Sequence, residues 1–514
     1  MARTETIERE RKFEAADDIR IPDVPGASVI DGSDVRLTAT YWDTLHRQLL
    51  RWGHTLRHRR ASDGSEDGWT LKLSIPSQKT KGELRRAEIH VPGSRLYPPV
   101  AIRRLARAVL RRGVLVPIAV IRTNRHRLEL TGHDPEDRIE LSDDHVSSVF
   151  GVRPGPAFRQ IEVEAASPDA SALMDEASGA LVRAGAVSTD TTKLEVVLGE
   201  RPEPEIALPR TGPDIPIRDV VRQAIGSGAE RLIANDPAAR IGSDPEAIHQ
   251  ARVATRRLRS DLKTLEPLLE GSAAARVRDE LHWIGGLLGS VRDADVLIEG
   301  VEEAGRTLRL GPDEMSTIGI ELERDRRRSH RELVAALASR RYTALVQDLI
   351  EAAETPPLAD GVDGERRARP RMENLVDKNW RRVSRAVKRL ESEPDDAALH
   401  EIRKRAKRGR YAAELAAAAT GEGGRADRLA DRLADVQDVL GELQDAVVAN
   451  ESLESLVRDD RLESLVRDDR ITGASAFAAG KLACTMGQAR SDARDRWSAA
   501  WKAAKVKRLR RWLH

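Results

Sequence analysis

A single cysteine, Cys484, stands in the 514-residue chain. An internal disulfide is excluded with it, and so is a zinc site built on paired cysteines. Aromatic residues make up only 3% of the sequence, which leaves a modest aromatic core. No stretch approaches the roughly 18 consecutive apolar residues of a membrane-crossing helix. The opening run Met-Ala-Arg-Thr-Glu-Thr-Ile-Glu is charged and has no apolar centre, so no signal peptide is read there and a cytoplasmic location is expected. A dominant charge is missing too: 86 Lys and Arg against 84 Asp and Glu leave +2. That balance argues against a uniformly basic nucleic-acid coat, although local clusters can still build a basic site.

What the chain does have is length and two different grammars. It is too long for one ordinary core, so two or more domains are expected. Up to about Gly199 short alternating runs are separated by turn residues, as in Trp69-Thr-Leu-Lys-Leu-Ser-Ile75 followed at a distance by Arg86-Ala-Glu-Ile-His-Val91. This half reads as antiparallel hairpins, interrupted by helices near 98–112 and 170–184. Residues 200–214 form a linker, because four prolines fall within Gly199–Asp214. From 215 to 514 long Ala-, Leu- and Arg-rich segments have helical spacing, with a polar break near 356–370. The expected organisation is therefore α+β: a β domain over 1–199 and an all-α domain over 215–514.

In the first half, charges alternate where a half-buried strand would keep one face apolar. Glu8, Glu10 and Lys12 fall at every second position, which puts them on one strand face. Arg57 with Arg59, Arg86 with Glu88, and Glu162 with Glu164 repeat the pattern, and Lys72 and Arg125 stand in similar runs. A solvated strand face can carry such residues, and internal salt bridging is a further alternative. A closed antiparallel barrel with a charged lumen is the reading preferred here, since its charges can be matched by one another or by a ligand. Carboxylates suit Mg²⁺ or Mn²⁺, and Arg and Lys suit phosphate oxygens.

The helical half repeats itself. His249 is followed by Arg252, Arg256, Arg257 and Arg259, and His400 by Arg403, Lys407, Arg408 and Arg410, at the same offsets. Lys404 adds to the second copy. Leu288-Gly289 with Asp293 lie 39 and 44 residues beyond the first histidine; Leu440-Gly441 with Asp445 lie 40 and 45 beyond the second. Two related helical bundles are implied, each with a basic stripe along one helix face. A solvated face is the usual meaning of a charge run, but here interleaving acids are scarce, which favours an anion-binding groove. Tyr411 is the main aromatic near these stripes, so base stacking is disfavoured. The histidines have no second histidine at ligand spacing, and read as hydrogen-bond donors to phosphate or as helix contacts. The exact nine-residue tandem copy over 453–470 is assigned no chemistry.

Residues 6 to about 198 resemble the CYTH domain, the triphosphate tunnel metalloenzyme family. The likeness rests on Glu8-x-Glu10-x-Lys12, Tyr41-Trp-Asp43-Thr44, Leu56-Arg57-x-Arg59, Lys72, Arg86-x-Glu88, Arg125, Glu162-x-Glu164 and Thr192-Lys193. Residues 215–514 resemble the CHAD domain, a helical module associated with inorganic polyphosphate, through the two histidine segments and the two Leu-Gly…Asp motifs. The resemblance implies an eight-stranded antiparallel tunnel that hydrolyses a triphosphate group with a divalent metal, Mg²⁺ or Mn²⁺. It implies metal ligation by Glu8, Glu10, Glu162 and Glu164, with Glu88 and Asp143 as further candidates. Triphosphate contacts are implied for Lys12, Arg57, Arg59, Lys72, Arg86, Arg125 and Lys193.

The function expected is hydrolysis of inorganic triphosphate, with polyphosphate bound by the helical domain at His249, Arg252, Arg256, Arg257, Arg259, His400, Arg403, Lys404, Lys407, Arg408, Arg410 and Tyr411. The alternatives are a polyphosphate-targeting protein with little catalysis, a thiamine triphosphatase, and an adenylate cyclase. No membrane partner is expected, and nucleic acid is disfavoured.

Overall fold

The computed structural model describes residues 4–74, 84–150, 153–167, 170–199, 202–307, 312–392, 394–419, 424–458 and 491–513. It divides into two compact units, Met1–Glu205 with Ile233–Pro237, and Ile206–Leu232 with Ala238–His514.

Among the described residues the first unit is built on nine strands: β1 (Thr4–Glu14), β2 (Ser28–Asp43), β3 (Thr55–Ala61), β4 (Gly68–Ser74), β5 (Leu84–Val91), β6 (Val116–Thr131), β7 (Arg138–Phe150), β8 (Arg153–Ala165) and β9 (Val187–Thr189). Their order is β5-β4-β3-β2-β6-β7-β8-β1-β9, every pairing antiparallel. A further pairing of β1 with β5, from Thr4 opposite His90 to Glu10 opposite Leu84, closes eight strands into a barrel. Beyond Glu10 the same edge of β1 pairs with β9 along Lys12–Glu14. Short helices α1 (Gln48–Arg51), α2 (Val100–Leu105) and α3 (Arg107–Leu110) and the longer α4 (Ser171–Arg183) and α5 (Lys193–Leu198) lie around it.

Alternation explains why the barrel tolerates a charged interior. On β8, Ile161 and Val163 are fully buried on the outer face, while Glu162 and Glu164 point the other way. Phe13, Ile139 and Leu141 join them against Leu173, Met174, Ala177 and Leu181 of α4. Each such side chain contributes about 1.5–3 kcal/mol when fully buried. This shell supplies apolar stabilisation that the lumen does not.

The second unit is helical: α6 (Ile217–Ile241), α7 (Pro245–Thr264), α8 (Gly271–Thr307), α9 (Pro312–Leu337), α10 (Arg340–Glu354), α11 (Arg369–Lys388), α12 (Asp396–Ala418) and α13 (Arg425–Arg458). The repeat seen in the sequence appears as two matched pairs, α7 against α8 and α12 against α13, and α7 also packs on α12. Both histidine helices start with the same device. Asp244 caps α7 by accepting from Glu246 N at 2.9 Å, and Asp395 caps α12 by accepting from Ala398 N at 2.7 Å. Part of the proline-rich segment is packed, since Ile206 is buried within this unit. The tandem nine-residue copy begins in the last turns of α13, and its second half, from Leu462, lies outside the described residues. Among the described residues no helix is long and apolar enough to cross a membrane.

Candidate functional site

Cross-strand register decides which side chains enter the barrel. Residues directly opposite each other share a face, so Glu8 opposite Arg86, Glu10 opposite Glu164, Lys12 opposite Glu162 and Lys72 opposite Glu88 all project inward together. They line, or stand in the wall of, a cavity of 250 Å³ that also receives Tyr41, Arg57, Arg59, Glu66, Arg125, Glu140 and Lys193. Lys193 arrives from the first turn of α5, whose capping box fixes the entry: Thr192 N donates to Glu195 Oε2 at 2.7 Å and Thr192 Oγ1 accepts from Glu195 N at 3.3 Å.

The lumen is a continuous network of ion pairs. Lys12 Nζ lies 2.9 Å from Glu10 Oε2 and 2.5 Å from Glu162 Oε1. Lys72 pairs with Glu8 and, at 3.4 Å, with Glu88; Arg86 pairs with Glu10 and, at 3.5 Å, with Glu8. Arg125 grips both oxygens of Asp144 at 2.8 Å and reaches Glu162 at 3.1 Å. Lys193 Nζ lies 2.8 Å from Asp144 and 2.6 Å from Glu162. Arg59 is met by Glu66 from the β3–β4 hairpin.

Charge is not evenly matched along this network. Burial pushes the Glu164 carboxyl up to about 8, and the neighbouring carboxylates Glu8, Glu10 and Glu88 push the same way against Lys72. Glu8 Oε2 is buried there without a hydrogen bond. Elsewhere the surplus is positive: burial, Arg57 and Arg125 push Arg59 down to about 9. The Nε atoms of Arg57 and Arg59 are buried without hydrogen-bond partners. Tyr41 is lowered because the Arg57 and Arg59 guanidiniums outweigh the opposing effect of burial. Burial alone would also raise Glu162, yet Lys12, Lys193 and Arg125 hold it well below the usual carboxylate range.

One expected ligand is not in the lumen. Asp143 sits on the opposite face of β7 and forms a two-pronged pair with Arg159, at 2.8 and 2.9 Å. Its neighbour Asp144 takes the inward position, because a one-residue step along a strand reverses the face. Asp144, Glu140, Glu66 and Tyr41 join the lumen beyond the site residues that the sequence marks. The alternation Glu140-x-Ser142-x-Asp144 was the available signal for two of them. Asp43 acts locally: its carboxylate accepts from Thr44 N, Leu49 N and Leu50 N at 2.6, 2.9 and 3.0 Å and ties α1 to β2.

In the helical unit the two basic stripes face one another across the α7–α12 contact. Lys407 is half-buried, and burial pushes its ammonium down to about 6, with Arg256, Arg403, Arg259 and Arg252 adding repulsion. Gly289 and Gly441 explain the Leu-Gly motifs. A Cβ on Gly289 would sit 3.8 Å from the Arg252 guanidinium, and one on Gly441 only 3.3 Å from that of Arg403, so each glycine gives an arginine room to lie across the neighbouring helix. Arg252 is further oriented by Asp293 at 2.7 Å; the side chain of Asp445 lies outside the described residues. His249 is lowered by burial and by Arg292, Arg252 and Arg256, whereas His400 is lowered by burial, Lys404 and Arg403, with Gln444 bonding to it. Arg292 and Gln444 were missed in the sequence because the repeat offset places them on partner helices.

Other stripe residues have protein partners. Arg257 and Arg410 share Glu414, Arg257 also binds Asp261 at 2.7 Å, and both flank Tyr411, which is buried. Lys404 pairs with Glu401 at 2.8 Å, while Arg408 is exposed. Arg259 is lowered by burial and Arg278. The basic centre of the groove is formed by Lys407 and by Arg252, Arg256, Arg259 and Arg403, the residues that crowd its ammonium.

The chain matches the CYTH domain family over residues 6–180 and the CHAD domain family over residues 223–454. Two proteins of Mycobacterium tuberculosis, from strains CDC 1551 / Oshkosh and ATCC 25618 / H37Rv, are 31% identical over 486 residues, covering 87% of this chain and 88% of theirs; each is named an uncharacterized protein. It belongs to the CYTH–CHAD family. Among solved structures, PptA from Streptomyces chartreusis is 22% identical with a TM-score of 0.45, covering 56% of this chain and 99% of its own. The CHAD domain from the plant Ricinus communis is 25% identical with a TM-score of 0.46, covering 58% and 96% respectively.

Proposed function

We propose that the CYTH barrel hydrolyses inorganic triphosphate with a divalent metal ion, Mg²⁺ or Mn²⁺, and that the CHAD groove binds inorganic polyphosphate. CYTH family members are triphosphatases or related enzymes, and its tunnel enzymes in general depend on a divalent metal. The observation that carries the reading is the separation of surplus charge inside one lumen. Glu164, raised by burial and by Glu8, Glu10 and Glu88, lacks a cation. Arg59, lowered by burial and by Arg57 and Arg125, is met by Glu66 alone among the described carboxylates, so positive charge stays in surplus around it. A metal–triphosphate complex supplies both the cation and the balancing anion.

Among the described residues no three carboxylate, histidine or cysteine side chains already form a metal cage. The donor set nonetheless fits a hard cation, because Glu8 Oε2 is buried without a hydrogen bond, with only a 3.5 Å ion pair to Arg86, and burial beside Glu8, Glu10 and Glu88 pushes Glu164 up to about 8. Glu8, Glu10, Glu162 and Glu164 would hold the ion, with Glu88 beside them. It would supply Lewis-acid polarisation of phosphoryl oxygens. The protein's own cations do the rest. Arg57, Arg59, Arg125 and Lys193 bind phosphoryl oxygens, exchanging carboxylate partners for phosphate, and stabilise charge on the leaving oxygen. Lys12, Lys72 and Arg86 pair with Glu10 and Glu8 and hold them aimed inward. The small volume favours a compact linear anion over one that also carries a base and ribose.

In the CHAD domain, Arg252, Arg256, Arg259, Arg403 and Lys407 would follow a phosphate chain while His249 and His400 donate hydrogen bonds. A phosphate-release panel over tripolyphosphate, longer polyphosphate, thiamine triphosphate and ATP, each with Mg²⁺ and Mn²⁺, tests the reading. Fastest turnover of tripolyphosphate supports it. Preference for thiamine triphosphate, or cyclisation of ATP, replaces it with the corresponding alternative.

A further inference from the structure

A second basic groove lies on the other side of α12. It has a volume of 570 Å³ and is lined from α11 and its end by Lys378, Arg382, Arg385 and Arg389, and from α12 by Arg405 and Glu401. The four cations from α11 recur at i, i+4, i+7 and i+11, which keeps them on one face over about 16 Å of helix. On α12, Arg405 stands two residues from both Arg403 and Lys407, about 200° away around the helix, so this groove is distinct from the α7–α12 groove.

The acids that would ordinarily neutralise such a face are already taken. On α11, Glu373 pairs with Arg369 at 3.0 Å and Asp377 with Arg381 at 2.7 Å. Glu401 pairs with Lys404 at 2.8 Å and lies within electrostatic range of Arg405. Arg385 Nε donates to the Arg381 carbonyl at 3.1 Å. Among the described residues no carboxylate is paired with Lys378, Arg382, Arg385 or Arg389. The apolar floor is made of small or branched side chains, Ala386, Leu390, Ala398 and Ile402, and no aromatic ring lines the groove.

We propose that this α11–α12 groove is a second binding site for a linear inorganic phosphate chain. The ligand class rests on the polyphosphate reading above; the location does not. Several cations in a row match repeating phosphates better than a single small anion. The lack of an aromatic platform disfavours bases, so nucleic acid is the weaker occupant. A long chain can engage both faces of α12, and its second contact becomes intramolecular, so affinity should rise steeply with chain length.

The test uses the full chain and two triple variants: Arg382→Gln/Arg385→Gln/Arg405→Gln in the outer groove, and Arg252→Gln/Arg256→Gln/Arg403→Gln in the inner one. All three outer positions are exposed, and a Lys version of the outer triple checks that loss reflects charge rather than misfolding. Binding is measured against long-chain polyphosphate across a salt series. The outer Gln triple should weaken binding about tenfold or more. It should also reduce the slope of log affinity against log salt by about 2, at ~0.7 per lost phosphate contact, with the Lys triple retaining most of both. If the outer triple binds like wild type while the inner triple loses affinity, the second site is refuted and the polyphosphate reading stands. If wild type does not bind polyphosphate, both fall. If the outer triple loses a single-stranded oligonucleotide but not polyphosphate, the groove is a nucleic-acid site and the proposal is overturned.

Discussion

Lys407 gives the CHAD groove a proton-coupled signature. Burial and the arginines at 252, 256, 259 and 403 push its ammonium down to about 6. At pH 7 about nine in ten copies are therefore neutral in the anion-free protein. A phosphate chain laid along the groove cancels that repulsion and favours the charged form, so binding should take up about 0.9 proton at pH 7. By linkage, affinity should then fall close to tenfold for each pH unit above 7 until the lysine of the complex itself titrates. The sign for stability runs the other way. The folded value lies below the unfolded one of about 10.4, so the unfolded chain binds more protons between pH 6 and 10. Without polyphosphate, this group should make the protein more stable as pH rises through that window, by at most about 1.4 kcal/mol per unit. Calorimetric titration in buffers of different ionisation enthalpy reads the uptake directly. Lys407→Met should remove it, leaving only a contribution from His249 and His400 that grows as pH falls. Lys407→Arg should also remove it while keeping the affinity. No uptake in wild type, or unchanged uptake in Lys407→Met, would refute the reasoning.

Three further outcomes follow from particular contacts. Gly441→Leu places a side chain where even a Cβ sits 3.3 Å from Arg403, so polyphosphate affinity should drop about tenfold with no change in charge, and Gly289→Leu should do less. Lys12→Met leaves Glu10 and Glu162 without their shared ammonium; thermal unfolding should show a loss of about 3–5 kcal/mol. Because Glu162 is lowered in the folded state, its contribution to wild-type stability is lost as pH falls, and in Lys12→Met that loss should begin at higher pH. Glu66→Gln releases Arg59 from its carboxylate partner, so KM for tripolyphosphate should fall while kcat changes little; an equal fall in both would give Glu66 a different role.

The barrel and its charged face were legible because strand alternation has a period of two and Glu8-x-Glu10-x-Lys12 obeys it without ambiguity. Asp143 and Asp144 show where that logic stops. Adjacent aspartates put a carboxylate on each face, and only the register against β6 and β8 selects the inward one. Glu66 could not be found this way, since it stands in a turn whose reach depends on hairpin geometry. On the helices, the repeat exposed the stripes but not their neighbours. The spacing puts Arg257 and Arg410 in the stripes, but that both pair with Glu414 follows only from how α7 and α12 come together. The α11 stripe had the right spacing in the sequence but no repeated partner to mark it, and its meaning depends on which acids are already paired.

A metal and a triphosphate together would complete the separated surplus charges of the lumen. Phosphate release from tripolyphosphate by the full chain, measured with Mg²⁺ or Mn²⁺ and again after chelation, tests it most directly. Turnover is expected with either ion, abolished by the chelator and by Arg59→Met. Absence of release with both ions, or release that persists unchanged in the chelator, would contradict it.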